Sequence, residues 1–315
     1  MMNLWNPFPD GDWLDIILYL MQSPAASLPL EPLRIIAAVA GCAIGAYFDI
    51  WNNKNIPNYF IYGFLALALL INFAAYEPTS TWYGIGWAAV LFASTYILYK
   101  FGQLGGADPY ILASIALLLP VQPTLLLQLP VQQFLELPFA LNLLLATSLF
   151  FMAYMLLRSL PIAAKSIATP KSISSSAWLG AILIVAAFGA FSFVAGSMPY
   201  LPESYFTLVS IIAAVMLYFV LFKDALNRTM VEWVGAKKVE AEDVLALELL
   251  DKKVISSLSL SRLVDEKMAK RIRSSKLSKL PVYTKLPPFI PHIFAGLLLV
   301  LFAGNVVGLF LAGGL

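Results

Sequence analysis

An all-α polytopic membrane protein is the fold class this sequence predicts, with about eight transmembrane helices and a small cytoplasmic helical insertion before the last span. Three observations predict it. Of 315 residues, 60% are hydrophobic and 12% charged, with a mean hydropathy of +0.82; soluble domains run about 25% charged. Apolar stretches of roughly 20 residues, the length that crosses a bilayer, recur along the chain. When those stretches alternate in direction, nineteen of the twenty Lys and Arg residues fall on one side, the positive-inside pattern. The single cysteine, Cys42, and the single histidine, His292, exclude an internal disulfide and a Cys/His transition-metal site. No metal, no cofactor and no nucleic-acid partner is therefore expected.

In chain order, residues 13–21 are apolar but too short to cross. Asp10 and Asp12 precede them and no basic residue does, so they lack the positive start of a signal peptide. They are expected to lie on the membrane surface within an external segment, 1–31. Spans are predicted at 33–50, 56–75, 82–100, 109–126, 138–157, 177–197, 204–222 and 290–311. Pro120, Pro123 and Pro130 interrupt the fourth, which predicts a broken or short helix there. The first seven spans form a core over 32–222, and the last lies within 289–315.

Between them, 223–288 is the cytoplasmic basic segment and holds 14 of the Lys and Arg residues. Lys54, Lys100, Arg158, Lys165 and Lys171 share its side, while the opposite loops carry Glu77, Glu136 and Glu203. Arg34, near Glu31, is the exception. Both termini are thus expected outside, in a multi-pass plasma-membrane protein. Amphipathic helices are predicted over 240–250 and 260–272, the second with Leu263, Met268 and Ile272 on one face. The basic run from Lys267 to Arg273 reads most plainly as an interfacial helix on anionic lipid, and more sharply as a substrate-docking surface.

Outside the soluble segment and the outer loops, two acids remain. Asp49 ends the first span and Asp108 opens the fourth, both at the cytoplasmic boundary. Ionisable residues at such places mark function. Two carboxylates held close share a proton; the ionised one can deprotonate water and the protonated one can polarise a carbonyl. Each also has a plainer reading. Asp108 before Pro109 makes a helix N-cap with proline at the first position. Asp49 could be a solvated helix end paired with Lys54, although an acid there opposes the helix dipole. Gly105 and Gly106 permit close backbone approach, or simply form a turn.

Together these residues resemble the type IV prepilin peptidase family in its archaeal preflagellin/prepilin branch, among the GxGD membrane aspartic proteases. Three elements carry the resemblance. One is Asp49-Ile-Trp-Asn-Asn-Lys54-Asn-Ile56-Pro57-Asn58, an aspartate at a span end followed by a basic residue and an Ile-Pro-Asn turn. The second is Gly105-Gly106-Ala107-Asp108, with Ala where the short motif has its second Gly. The third is the proline-rich entry to the last span, Leu286-Pro-Pro-Phe-Ile-Pro291. The resemblance implies an aspartic endopeptidase with Asp49 and Asp108 as catalytic residues. Gly105, Gly106, Lys54, Pro57 and Asn58 would position the substrate. That substrate would be a pilin-type or archaellin precursor held in the membrane, cut where its short basic leader meets the apolar helix. Bacterial members carry paired CxxC motifs in a zinc domain linked to N-methylation; with one cysteine, this chain is expected to cleave without methylating.

Two other classes compete. A secondary transporter would use Asp49 and Asp108 as ion or proton ligands, and predicts midplane acids and repeat symmetry. A non-catalytic assembly protein would tolerate loss of both. A protease of the same class with other substrates is a narrower variant. Asn72, Asn142 and Asn305 are expected to bridge helices, Cys42 to pack as a small residue, and Trp51, Trp82 and Trp178 to line the interface.

Overall fold

The computed structural model describes residues 28–52, 56–125, 137–167, 173–196, 203–275, 277–284, 286–306 and 308. The external stretch 13–21, Lys54 and Glu136 lie outside the described residues. Ten α-helices and two strands follow in order: α1 Glu31–Trp51, α2 Asn58–Ala74, α3 Pro78–Lys100, α4 Asp108–Leu118, α5 Phe139–Ile167, α6 Ser175–Gly196, α7 Glu203–Met230, β1 Val231–Gly235, α8 Lys252–Leu258, α9 Glu266–Ser274, β2 Lys279–Tyr283 and α10 Ile290–Ala303. An apolar helix occupies each predicted span. Five of these (α1, α3, α5, α6 and α7) contain stretches long and apolar enough to cross a membrane, whereas α2, α4 and α10 are shorter. The described chain forms two compact units, divided at Met152/Ala153 and again at Pro287/Pro288.

The first unit comprises α1–α4, the start of α5, and α10. Its centre is α4, buried at every position but Tyr110. At 11 residues it spans only about 16 Å, and Pro120 and Pro123 follow it. Such a half-length helix is tolerated at membrane depth because protein surrounds it. The buried stripe of α1 runs Arg34, Ala38, Gly41, Cys42, Gly45, Ala46 and Asp49, spacings of three and four that keep one helix face inward. Small residues dominate this stripe, as in helix packing within lipid, where close backbone approach replaces hydrophobic drive. A Cβ at Gly41 would strike the Phe64 ring of α2, and one at Gly296 of α10 would stand 2.7 Å from the Thr147 backbone of α5.

Aromatic pairs locate one end of this unit. Tyr47 stacks on Trp51, Phe48 meets Phe60, and Tyr110 meets both Tyr62 and Phe92. The C-terminal ends of α1 and α3 and the N-terminal ends of α2 and α4 therefore share one level, as alternating spans require.

In the second unit, α6 packs on α7, with Gly180 against Val220, and the Ser159 and Tyr218 hydroxyls are 2.6 Å apart. The last residue of α7, Met230, leads directly into a small lobe. That lobe is not all-α. Strands β1 and β2 pair antiparallel, from Val231 opposite Tyr283 to Gly235 opposite Lys279, because Val-Glu-Trp-Val and Leu-Pro-Val-Tyr carry the branched and aromatic residues that suit a pleated surface. The predicted helix at 240–250 is replaced by a turn, two bridges and a 3₁₀ turn, Leu247–Leu249: Val244 and Leu245 bridge to Leu263 and Val282. The second predicted helix begins only at Glu266, where Asp265 accepts from the Met268 N–H at 2.6 Å and caps it. The apolar face of α9, with Met268, Ala269 and Ile272, packs into the lobe core with Val239, Leu245 and Leu280. This corrects the picture of an interfacial helix: the face that would enter lipid is already buried, and only the basic face is exposed.

Candidate active site

The two candidate acids lie in the first unit at the aromatic end. Asp49 sits in the last turn of α1, 7% exposed, and Asp108 is the first residue of α4, 3% exposed. The helices carrying them touch just inside this end: a Cβ at Gly45 would meet the Ile111 Cδ1 at 3.1 Å and the Ile290 Cγ2 of α10 at 3.4 Å. Gly45 lies one turn before Asp49 and Ile111 one turn after Asp108, so the fold sets two carboxylates separated by 59 positions at the same end of one helix pair.

Each carboxylate accepts from backbone. Asp49 Oδ2 accepts from the Ile290 N–H at 3.0 Å. This explains how an acid survives at the C-terminal end of its own helix, where the dipole opposes it. It lies at the N-terminal end of α10, whose free N–H groups and dipole favour an anion. The Ile290 N–H belongs to the proline-rich entry, so two of the three motif elements meet here. Asp108 Oδ2 accepts from the Gly105 N–H at 2.7 Å, and the Asp108 N–H returns a bond to the Gly105 carbonyl at 3.3 Å. Asp108 is therefore not the N-cap; Ala107 holds that position, with no side-chain cap bond. The carboxylate reaches backwards into the glycine turn.

The remaining candidates separate. Gly105 is exposed and directly contacts Asp108, and Gly106 follows it, half-buried. Pro57 is the N-cap of α2 and its carbonyl accepts from Phe60 and Ile61. Asn58 is exposed at the first position of α2. No three His, Cys, Asp or Glu residues among those described form a cluster that could hold a metal ion.

Among the other polar residues of the spans, Asn72 Oδ1 accepts from Arg34 Nη1 of α1, and Asn142 Oδ1 of α5 accepts from the Val306 N–H beyond α10; both join separate elements as expected. Asn305 accepts from the nearby Gly308 N–H. Cys42 is fully buried. Trp51, Trp82 and Trp178 are all exposed. Three participants escaped the sequence reading: Gly45, the Ile290 N–H and Arg34. The spacing of small residues along α1 pointed to Gly45; nothing local pointed to the other two.

Comparison with curated proteins and with solved structures finds no match. A family model for the type IV leader peptidase family does match, over residues 36–193, half of the chain and inclusive of both aspartates. The chain belongs to the type IV leader peptidase family, a family of proteases whose substrates are pilin-type precursors.

Proposed function

We propose that this protein is a membrane-embedded aspartic endopeptidase whose catalytic pair is Asp49 and Asp108. It removes the short basic leader of pilin-like or archaellin precursors at the cytoplasmic boundary of the plasma membrane. The observation that carries the reading is the placement of two buried acids at one end of the α1/α4 pair, each accepting from a backbone N–H of a family motif element. The family match supports the substrate class.

Two carboxylates that feel one another hold a single shared proton near neutrality, and their titration belongs to the pair. The ionised member takes a proton from water as the oxygen attacks the scissile carbonyl carbon. The protonated member gives its proton to the carbonyl oxygen. Collapse of the tetrahedral diol then breaks the C–N bond, and the leaving nitrogen takes up a proton from the pair. Exposed Gly105 offers a surface without a side chain on which an extended substrate strand could lie. The single cysteine of the chain supports cleavage without N-methylation. Lys54, Pro57 and Asn58, in the turn after α1, would orient the leader.

The experiment is cleavage of a pilin-type precursor by purified protein in liposomes, comparing wild type with Asp49→Asn and Asp108→Asn, with mass spectrometry of the new N-terminus. Loss of cleavage in both variants and an unmethylated product agree with the proposal. Near wild-type processing by either variant removes the pair, and would favour an assembly role if both are silent.

A further inference from the structure

We infer that Arg34 is a positioning residue: it sets the register of α1 against α4 from the end opposite the acids, and through it the spacing of Asp49 and Asp108. The inference rests on the proposed role of that pair. Arg34 is completely buried. Its guanidinium donates to five oxygens: the carbonyls of Pro29 (2.8 Å), Leu117 (3.2 Å), Leu118 (3.3 Å) and Ala75 (3.4 Å), and Asn72 Oδ1 (3.3 Å). None of these is a carboxylate, and Glu31, its neighbour in sequence, bonds instead to Thr124 and Leu125.

Three of these acceptors have one thing in common. Leu117 and Leu118 end α4, and Ala75 is the C-cap of α2. Helix C-termini leave carbonyls without intrahelical donors, and the dipole there favours a cation. A charge buried at membrane depth is expensive. An apolar residue would avoid that cost if filling space were the only need, but it would leave three helix-end carbonyls bare. What the arginine adds is geometry. Its planar fork holds donors in fixed directions, so one side chain on α1 fastens the ends of two other helices at once. Sliding α4 by a single residue moves its carbonyls by about 1.5 Å, which breaks bonds of 3.2–3.3 Å. Arg34 meets Leu117 and Leu118, and Gly45, one turn before Asp49, meets Ile111, one turn after Asp108; the contacts run antiparallel along one seam, and an error at one end reappears at the other.

The test reads register and catalysis separately. In a Cys42→Ala background, Gly45→Cys with Ile111→Cys places two thiols where the helices touch; the second change removes the methyl that the first would strike. Oxidative cross-linking should be efficient with Arg34 present. With Arg34→Met it should fall at least threefold, and kcat for precursor cleavage, measured without the cysteine pair, should fall about 100-fold, the scale of an ångström-level misplacement. KM should stay within twofold. Arg34→Lys keeps the charge but not the fork, so it should restore folding fully and both readouts only in part, leaving kcat about tenfold low. If Arg34→Met does not fold, Arg34→Lys decides. Wild-type cross-linking and kcat in a folded Arg34 variant overturn the inference, as does failure of the cysteines to cross-link with Arg34 present. If instead Asp49→Asn and Asp108→Asn still cleave, the catalytic pair falls while the cross-linking result on register stands.

Discussion

The two ends of the α1/α4 seam handle buried charge in opposite ways. At one end a cation meets helix C-termini: Arg34 is enclosed and donates to five oxygens. At the other end two anions meet backbone N–H groups, one at the start of α10 and one in the glycine turn before α4. At the cation end the guanidinium itself is fully enclosed, beside exposed Thr124 and Leu125, which bond to Glu31. The acid end borders the surface, with Gly105 exposed and Trp51 69% exposed beside Asp49. The difference teaches how one helix pair can be both rigid and reactive. Charge fully matched by helix ends holds structure, and charge of one sign gathered near the surface is available for chemistry.

The largest expected effect breaks the acid end alone. Asp49→Asn or Asp108→Asn should lower precursor cleavage by at least about 1,000-fold. Each Asn keeps an oxygen acceptor for its backbone N–H, so thermal unfolding should move by only a few degrees. Large loss of fold in either variant would mean that the acids are structural, and the contrast between the ends would vanish.

The adjoining α1/α2 contact and the cation end should respond in stability first. Gly41→Ala drives a methyl into the Phe64 ring and should cost about 1–3 kcal/mol, read from denaturation in detergent; Gly63→Ala, with nothing within 4 Å of the added carbon, is its silent control. Asn72→Ala removes one of the oxygens facing Arg34 and leaves a void, for about 2 kcal/mol.

The lobe supplies the outer reference, since it is built like a soluble domain. Asp265→Ala removes the cap of α9 and should loosen that helix by about 1 kcal/mol, seen as faster amide exchange there, with cleavage unchanged. The smallest effect is a pH slope. Burial, reinforced by the Glu248 carboxylate that accepts its hydroxyl, pushes the Tyr283 phenol above its ordinary value. An acid whose folded pKa is raised contributes stability that is complete below its unfolded value, about 10, and is lost as pH climbs past it. Lobe exchange should therefore accelerate above about pH 10, and Tyr283→Phe should flatten that rise.

The apolar helices and the lobe also differ in how legible they were. Across both units, the apolar runs are so pronounced that an apolar helix lies at each of the eight predicted spans, and the proline cluster foretold the short α4. What hydropathy cannot convey is depth and partnership. Among the described residues α2, α4 and α10 are shorter than a crossing, and Arg34 donates to carbonyls at the C-terminal ends of α2 and α4. In the lobe the alternation was weak. Residues 240–250 have helical periodicity but form bridges, because Val244 and Leu245 gain more from pairing with Leu263 and Val282 than from a local helix. Asp108 looked like a cap because Asp-Pro opens many helices; the glycine turn captured its carboxylate instead.

By itself, the sequence determined the membrane class, the family and the two acids worth singling out, because scarcity of charge and short motifs are local properties that survive without a fold. Only the tertiary structure decided that those acids lie at one end of the α1/α4 pair, that Ile290 from the far end of the chain holds one of them, and that Arg34 is fully enclosed and bonded to the ends of two other helices. Those outcomes depend on which helix ends face one another. That choice is made by the small residues that let α1, α4 and α10 approach, and by the need of each buried charge for a helix terminus of the opposite sign.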